Sequence, residues 1–355
     1  MSFTIRSEPL LSQLAGDPAA EALFTDLAER QAILRFESAL AVAQSELGLI
    51  PDAAADRIRA VCTGFEADPK NLVHAMARDG LAVPGLIKQL RAEIGEPHAE
   101  YLHFGTTSQD AIDTALTLRL ADFLKLIRGR LEEVQQALSE LSAKFGDRTL
   151  MGRTRMQAAL PIRGDDRIEI WAAPIAGRLD ALDALTPGLL RLQLAGPVGT
   201  AEGFGDHAVE LRAALAEALG LGDPGGSWQT DRTALADFAN WLSGTCGVLG
   251  KIGQDIALMA QGGPEEIRLA GGGGSSAMPH KSNPIRAEVL VTLARYAATL
   301  LPGMHDALIH EQERSGSAWT LEWLILPDIC VTTAAATRHA RELLSSIEEF
   351  GRTDK

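Results

Sequence analysis

Apolar residues recur at steps of three and four along much of the chain, the spacing of one buried face on an α-helix. The longest unbroken run is Leu116, Leu120, Leu124, Ile127, Leu131, Val134, Leu138, Leu141 and Phe145. No proline interrupts it, and Gly146 follows as a stop. Thr106-Thr107-Ser108 ahead of Asp110 supplies capping side chains, so the pattern predicts a helix from Ser108 to Phe145. At about 1.5 Å per residue it would run about 57 Å, the length of a bundle or coiled-coil element.

Before this run the chain reads as short helices joined by proline and glycine turns. One extends from Glu21 to Leu49 and closes at Gly48 and Pro51. A second opens at Asp68-Pro69 and continues through Val73 and Met76, and a third covers Leu86 to Ile94 before Gly95 and Pro97. After the long run, Ile168 to Leu185 is periodic through Trp171, Ile175, Leu179 and Leu182, with Pro174 expected to kink it. His207 to Leu219 is a shorter alanine-rich helix. Thr230-Asp231 starts a run through Leu235, Phe238, Leu242, Leu249, Ile252, Ile256 and Met259. Its glycines, Gly244, Gly247, Gly250 and Gly253, either break it or let a neighbouring helix approach closely. Pro284 is expected at the first position of a helix through Val289, Leu293 and Leu300, and a last helix covers Leu324 to Ile347 around Pro327. No strand pair is evident. The fold class expected is all-α around long antiparallel helices, with residues 1–105 as an N-terminal helical domain and 106–355 as the bundle domain.

Composition narrows the function. The 355 residues are 46% hydrophobic and 23% charged, which fits a folded globule. Lysine plus arginine is 33 and aspartate plus glutamate is 47, a formal charge of −14. Such a balance opposes nucleic acid and anionic membranes as partners, but leaves room for a local basic pocket that takes a small anion. No apolar stretch is long enough to span a bilayer, and Met1 to Pro9 carries Arg6 and Glu8 without a signal-like apolar region. Cys62, Cys246 and Cys330 are isolated, with no metal-ligand spacing. A reduced cytoplasmic protein without structural zinc is expected.

Four segments carry more chemistry than helices need. Gly271 to Pro284 packs four glycines, Ser275, Ser276, Met278, His280, Lys281 and Asn283 around two prolines. A flexible surface linker is one reading. The other is an ordered loop whose backbone N–H groups gather on one anion while Lys281 favours an ionised Ser275 hydroxyl. His103-Phe104-Gly105-Thr106-Thr107-Ser108-Gln109-Asp110 sits at the mouth of the longest helix, where it can cap the helix or bind a carboxylate. Gly152 to Gln157 contributes Arg153, Arg155 and Gln157 with Arg163 close by, guanidinium forks in an acidic protein. The fourth segment runs from His310 through Glu313 and Arg314 to Trp319, Glu322 and Trp323. His310, Glu313 and Arg314 are spaced to share one side of a helix, and ion pairing is expected there in place of a metal.

Gly274 to Pro284 resembles the signature loop of the fumarase/aspartase superfamily, Gly-Ser-Ser-x-Met-Pro-x-Lys-x-Asn-Pro. The Thr107-Ser108 and Gly152 to Gln157 segments resemble its two other shared regions, in the same order along nearly the whole chain. The resemblance implies a homotetramer with a central bundle of long helices, each active site drawing its three regions from three subunits. It also implies catalytic roles for Ser275, Lys281 and Asn283. Substrate-binding roles would fall to His103, Thr107, Ser108, Arg153, Arg155, Gln157, Ser276, Met278 and Arg314. No cofactor and no metal are implied.

Within the superfamily the chain is most similar to the branch that closes a lactone on 3-carboxy-cis,cis-muconate, a tricarboxylate diene. The similarity lies in Phe36 to Ala41 with Gly48-Leu49-Ile50-Pro51, in His103 to Asp110, and in Glu313-Arg314 with Trp319 and Glu322-Trp323. Adenylosuccinate lyases share the His103 and Ser275 segments but usually carry serine and arginine nucleotide contacts in place of the tryptophan run. Superfamily lyases commonly have histidine where this chain has Arg155. Arginine stays protonated and makes a poor general acid or base. A carboxylate leaving group, whose ordinary pKa is about 4, needs little protonation, so the departure suits lactone chemistry. The small C-terminal helical domain common in the superfamily is expected to be absent, since the sequence stops at Lys355. The competing expectations are a fumarate-releasing lyase, including adenylosuccinate lyase, and a non-catalytic helical scaffold.

Overall fold

A computed structural model describes residues 9–261, 266–271, 273–274 and 282–352. The N-terminal part winds through α1 (Pro9–Ala15), α2 (Pro18–Leu23), α3 (Asp26–Glu46), α4 (Asp52–Cys62), α5 (Pro69–Asp79) and α6 (Val83–Ile94). α7 (Ser108–Phe145) follows, then α8 (Gly164–Leu189), α9 (Ala208–Leu219), α10 (Thr233–Met259), α11 (Ile285–Asp306) and α12 (Gly316–Ser345). Among the described residues there are also three two-stranded antiparallel sheets. β1 (Thr149–Thr154) pairs with β2 (Gln157–Arg163), β3 (Ile267–Leu269) with β6 (Ile347–Phe350), and β4 (Gly273–Gly274) with β5 (Ser282–Asn283). The fold class is all-α as expected, but the expectation of no strand pairs is corrected by these three.

α7 starts and stops where its apolar run predicts. The stripe from Leu116 to Phe145 is buried in one core with Trp171 and Ile175 of α8, Phe238, Leu242 and Leu249 of α10, Leu290 and Leu293 of α11, and Ile329 and Leu343 of α12. Burial of each large side chain contributes about 1.5–3 kcal/mol, so this stripe is what fixes the bundle. α10 is continuous through its four glycines. A Cβ on Gly250 would lie 2.5 Å from Ala294 Cβ, and one on Gly253 would lie 2.7 Å from the Ala287 carbonyl oxygen. The small residues therefore let α10 and α11 pack backbone to backbone.

A second core joins α3, α4 and α6 to the first turns of α7, through Ala111, Ile112, Ala115 and Leu118, and to Leu192, Leu194 and α9. The expected helix from Glu21 to Leu49 is divided into α2 and α3, because Thr25 Oγ1 caps α3 by accepting from Ala28 N at 3.2 Å. α4 has no counterpart among the expected helices. Its buried stripe of Ala54, Ala55, Ile58, Val61 and Cys62 starts with small side chains that signal periodicity weakly. Pro284 occupies the N-cap of α11, one place before the first helical residue. α12 begins at Gly316, ahead of the expected Leu324, and Ile347 belongs to β6.

No helix among the described residues is long and apolar enough to cross a membrane. Cys62, Cys246 and Cys330 are buried thiols outside any disulfide.

Candidate active site

The first chemistry-bearing patch is the opening of α7. Thr107 is its N-cap residue, and Ser108, half-buried, is its first helical residue. Asp110 is wholly buried and gathers donors from two sides. Thr107 N at 3.1 Å and Thr106 Oγ1 at 2.9 Å donate to Oδ2. From the turn after α8, Ala195 N donates to Oδ1 and Gly196 N to Oδ2, both at 2.9 Å. Burial pushes the Asp110 carboxyl up, and the backbone donors pull against it. Asp110 thus fastens the 195–197 turn over the helix mouth.

Arg314 closes that mouth. Its Nε donates to Gln109 Oε1 at 2.9 Å, and its Nη2 donates to Thr107 Oγ1 at 3.0 Å and to Pro197 O at 3.1 Å. A guanidinium beside a helix N-terminus makes a strong anion site, since both present N–H donors and positive potential. The expectation that His310, Glu313 and Arg314 share a helical side is corrected. Residues 307–315 are a non-helical connection that ends where Ser315 Oγ caps α12 by accepting from Ala318 N at 3.1 Å. Released from helical geometry, Arg314 can turn back to α7.

Behind the mouth lies a buried ion network. Arg232 donates to Asp113 Oδ2 through Nη1 at 2.7 Å and to Oδ1 through Nη2 at 3.0 Å. It also donates to Glu322 Oε1 through Nε at 2.8 Å and to Oε2 through Nη2 at 2.7 Å. The guanidinium lies 4.7 Å from the Trp228 ring, and Trp319 Nε1 donates to Asp113 Oδ1 at 3.1 Å. His310 Nε2 stands 3.7 Å from Glu322 Oε1. Burial would raise the Glu322 carboxyl, but His310 and Arg232 outweigh it and hold it low. No group of side chains suited to a metal ion occurs among the described residues.

His103 sits ahead of Thr107 with its Nδ1 2.5 Å from Glu37 Oε1 of α3. Burial pulls the imidazole down, yet the Glu37 carboxylate more than compensates and its pKa is raised.

The second patch is the β1–β2 hairpin. Thr154 pairs with Gln157, so the connection has two residues, Arg155 and Met156, both in the left-handed region at φ 48° and 69°. Positive φ at both positions is the signature of a type I′ turn, normally built with asparagine and glycine. Here it holds the Arg155 side chain on an exposed tip next to exposed Gln157. Arg153 lies on β1 and donates to Glu266 Oε1 at 3.1 Å. Arg163 is at the far end of β2, so the expected arginine cluster is spread along the hairpin.

The third patch is the signature segment. Gly273 pairs with Asn283 and Gly274 with Ser282, a short ladder that leads into α11. Ser275, Ser276, Met278 and Lys281 lie outside the described residues. Asn283, on β5, is half-buried. Glu266, ahead of this segment, accepts from Gly351 N through its backbone oxygen at 2.8 Å as well as binding Arg153.

One chain therefore brings together His103, Thr107, Ser108 and Arg314 at one end of α7. The hairpin with Arg153, Arg155 and Gln157 follows the other end, together with the base of the signature segment. The 38 residues of α7 put about 57 Å between the two ends. Asp113 and Arg232 carry the geometry of the first patch but were not singled out by sequence, while Gln109 and Glu37 lay in quoted segments without a role of their own. Asp113 and Arg232 are 119 positions apart, and no local pattern joins them.

A long-helix bundle that carries these three patches in this order defines a fumarase/aspartase-type enzyme fold. The chain belongs to the lyase family, whose model matches residues 15–298. A 3-carboxy-cis,cis-muconate cycloisomerase of Pseudomonas aeruginosa is 37% identical over 92% of this chain and 72% of its own length. The crystal structure of the 3-carboxy-cis,cis-muconate lactonizing enzyme from Pseudomonas putida superposes with a TM-score of 0.90 at 36% identity. It covers 96% of this chain and 77% of that one. The crystal structure of a fumarate lyase from Mesorhizobium sp. BNC1 has a TM-score of 0.89 at 30% identity, over 94% of this chain and 76% of that one.

Proposed function

We propose that this protein is a cycloisomerase, an intramolecular lyase that interconverts 3-carboxy-cis,cis-muconate and 4-carboxymuconolactone in the bacterial breakdown of protocatechuate. The observation that carries the reading is Arg155. A permanent cation on a strained, exposed hairpin tip stands where superfamily lyases commonly carry a histidine acid or base. Lactone opening expels a carboxylate, which an arginine can orient and which needs no proton donor. The Pseudomonas aeruginosa and Pseudomonas putida relatives named above carry the name of this reaction.

One substrate carboxylate adds through oxygen to a carbon of the conjugated diene and closes a five-membered ring. Electron density moves to the neighbouring carbon and its attached carboxylate. Ser275 delivers a proton to that carbon, or removes it in the reverse direction. Lys281, Asn283 and the N–H groups around Ser276 and Met278 stabilise the charge as it grows. Arg153, Arg155 and Gln157 hold the attacking carboxylate, while His103, Thr107, Ser108 and Arg314 hold another. No redox step and no cofactor is needed. Ring closure within one molecule makes conformer selection the main task of the site.

The separation of patches along α7 supports a homotetramer in which ends of different subunits meet. The acidic charge balance and isolated cysteines support a cytoplasmic location without nucleic-acid or membrane partners. Residues 1–105 and 106–355 are proposed as its two domains.

The purified protein should erase the ultraviolet absorbance of the diene, and Ser275→Ala should slow that loss at least ~100-fold. A near-normal rate in the variant removes Ser275 from the reaction. The fumarate lyase similarity supports a second reading, elimination with release of fumarate, which a fumarate assay on candidate succinyl adducts separates from the first.

A further inference from the structure

Glu37 and Gln44 are seven residues apart on α3, two turns along one face. Both are buried, at 1% exposure. Gln44 Nε2 donates to Phe104 O at 2.8 Å, and Glu37 Oε1 meets His103 Nδ1 at 2.5 Å. One helix thus grips two successive residues just ahead of the Thr107 mouth. The gripped backbone is strained. His103 has φ 61°, a left-handed conformation that costs a residue with Cβ about 1–2 kcal/mol. Gly105 at φ 74° completes the turn, where a Cβ would lie 2.6 Å from the Phe204 ring.

A carboxylate this deeply buried is stable only with a compensating charge. Among the described residues Glu37 Oε2 has no hydrogen-bond partner, so the contact with His103 carries the compensation. Cys62 on α4 is close enough to Glu37 for its thiol, raised chiefly by burial and further by Glu37, to reach about 12, and it brings no positive charge. The charged groups facing His103 are Glu37 from α3, Asp110 from α7 and Arg91 from α6. Arg91 opposes an imidazolium and is itself tied to Leu102 O at 3.0 Å, while Glu37 and Asp110 favour one. With Nδ1 committed to Glu37, the other ring nitrogen, Nε2, has no hydrogen-bond partner among the described residues.

We propose that Glu37 is a positioning residue that holds His103 as a fixed imidazolium, whose Nε2–H binds one carboxylate of the substrate at the mouth of α7. The assignment rests on the reading that this mouth receives a polycarboxylate. Affinity for the anion is then full below the pKa of His103 in the folded protein and falls as pH rises through it.

The test follows the His103 imidazole by NMR in the full-length chain labelled at the histidine ring carbons, its signal identified by its loss in His103→Gln. Titrations compare the wild type and Glu37→Gln, with and without tricarballylate, a saturated tricarboxylate that cannot lactonise. In the wild type the midpoint should lie above the ordinary histidine value of about 6.5 and rise further with tricarballylate. Glu37→Gln should lower it by about one unit or more and raise the KM for the diene about tenfold at about pH 7.5, with kcat changed less. A structural prop would lower stability without moving the midpoint. A wild-type midpoint at or below the ordinary value overturns the pairing, and this is read even if Glu37→Gln does not fold. A midpoint indifferent to tricarballylate overturns the carboxylate contact. Neither reading needs turnover, so failure of the cycloisomerase assignment would show separately, as a diene left unchanged.

Discussion

Arg314 Nη2 donates to Thr107 Oγ1 at 3.0 Å across 207 positions of sequence, and its Nε holds Gln109 Oε1 at 2.9 Å. Nη1 has no hydrogen-bond partner among the described residues, which leaves one edge of the fork for a ligand. Lysine keeps the charge but cannot span Gln109, Thr107 and a carboxylate together. Arg314→Lys should raise the KM for the tricarboxylate about tenfold, corresponding to about 1.4 kcal/mol, with little change in unfolding midpoint. Steady-state kinetics beside a denaturant melt check this, and an unchanged KM would remove Arg314 from the binding site.

The Asp113–Arg232–Glu322 network should behave as a buried salt bridge does. Arg232→Met removes the shared cation and leaves two carboxylates facing each other at 0% and 1% exposure. Loss of one partner of such a network is worth about 3–5 kcal/mol of stability. Urea unfolding should show it, and a loss below about 1 kcal/mol would mean the carboxylates find other partners.

Glu322 also sets an acid limit. Burial alone would lift its carboxyl, but His310 and Arg232 hold it below the usual range. A carboxyl with a depressed folded pKa contributes stability above its unfolded value, about 4.3, and loses it as pH falls through the lower folded one. Wild-type melting temperature should therefore drop in that acid window. Glu322→Gln should melt lower at neutral pH and show a shallower acid drop. Parallel melting curves for the two proteins would contradict this.

The hairpin tip is held in a costly backbone conformation. Arg155 and Met156 both occupy positive φ, a conformation that suits glycine or asparagine. Arg155→Gly should relieve about 1 kcal/mol of backbone strain while lowering kcat/KM by roughly 100-fold or more. Thermal melts and diene turnover on the same sample measure the two effects, which should have opposite signs. A variant less stable than wild type would show that Arg155 serves the fold.

The long helices were legible because their patterns repeat over many turns. α7 has a stripe with no proline and a glycine just past its end, and α10 kept its apolar period through four glycines, two of which, Gly250 and Gly253, turn out to be contact points with α11. The β1–β2 hairpin was not legible. β2 is exposed along nearly its whole length, so it has no apolar alternation, and its turn lacks glycine and asparagine. At the site, residues of the first patch were readable as a dense local segment. Their supports were not, because Glu37 and Arg232 reach His103 and Asp113 from distant parts of the chain, and Arg314, a candidate by resemblance, gave no local sign of its contact with Thr107. The spacing that seemed to set His310, Glu313 and Arg314 on one helical side failed because the Ser315 cap delays α12 until Gly316.

The Thr107–Arg314 mouth and the Arg155 tip lie at opposite ends of α7, and we propose that one chain therefore holds only part of a site. Mixing two inactive variants tests it most directly. Arg314→Ala and Arg155→Ala are unfolded together and refolded, and diene turnover is compared with each variant refolded alone. Mixed assemblies would contain sites in which an intact mouth from one subunit meets an intact tip from another. The account predicts activity well above the sum of the two parents. Activity equal to that sum, in a mixture shown by mass to have exchanged chains, would contradict it.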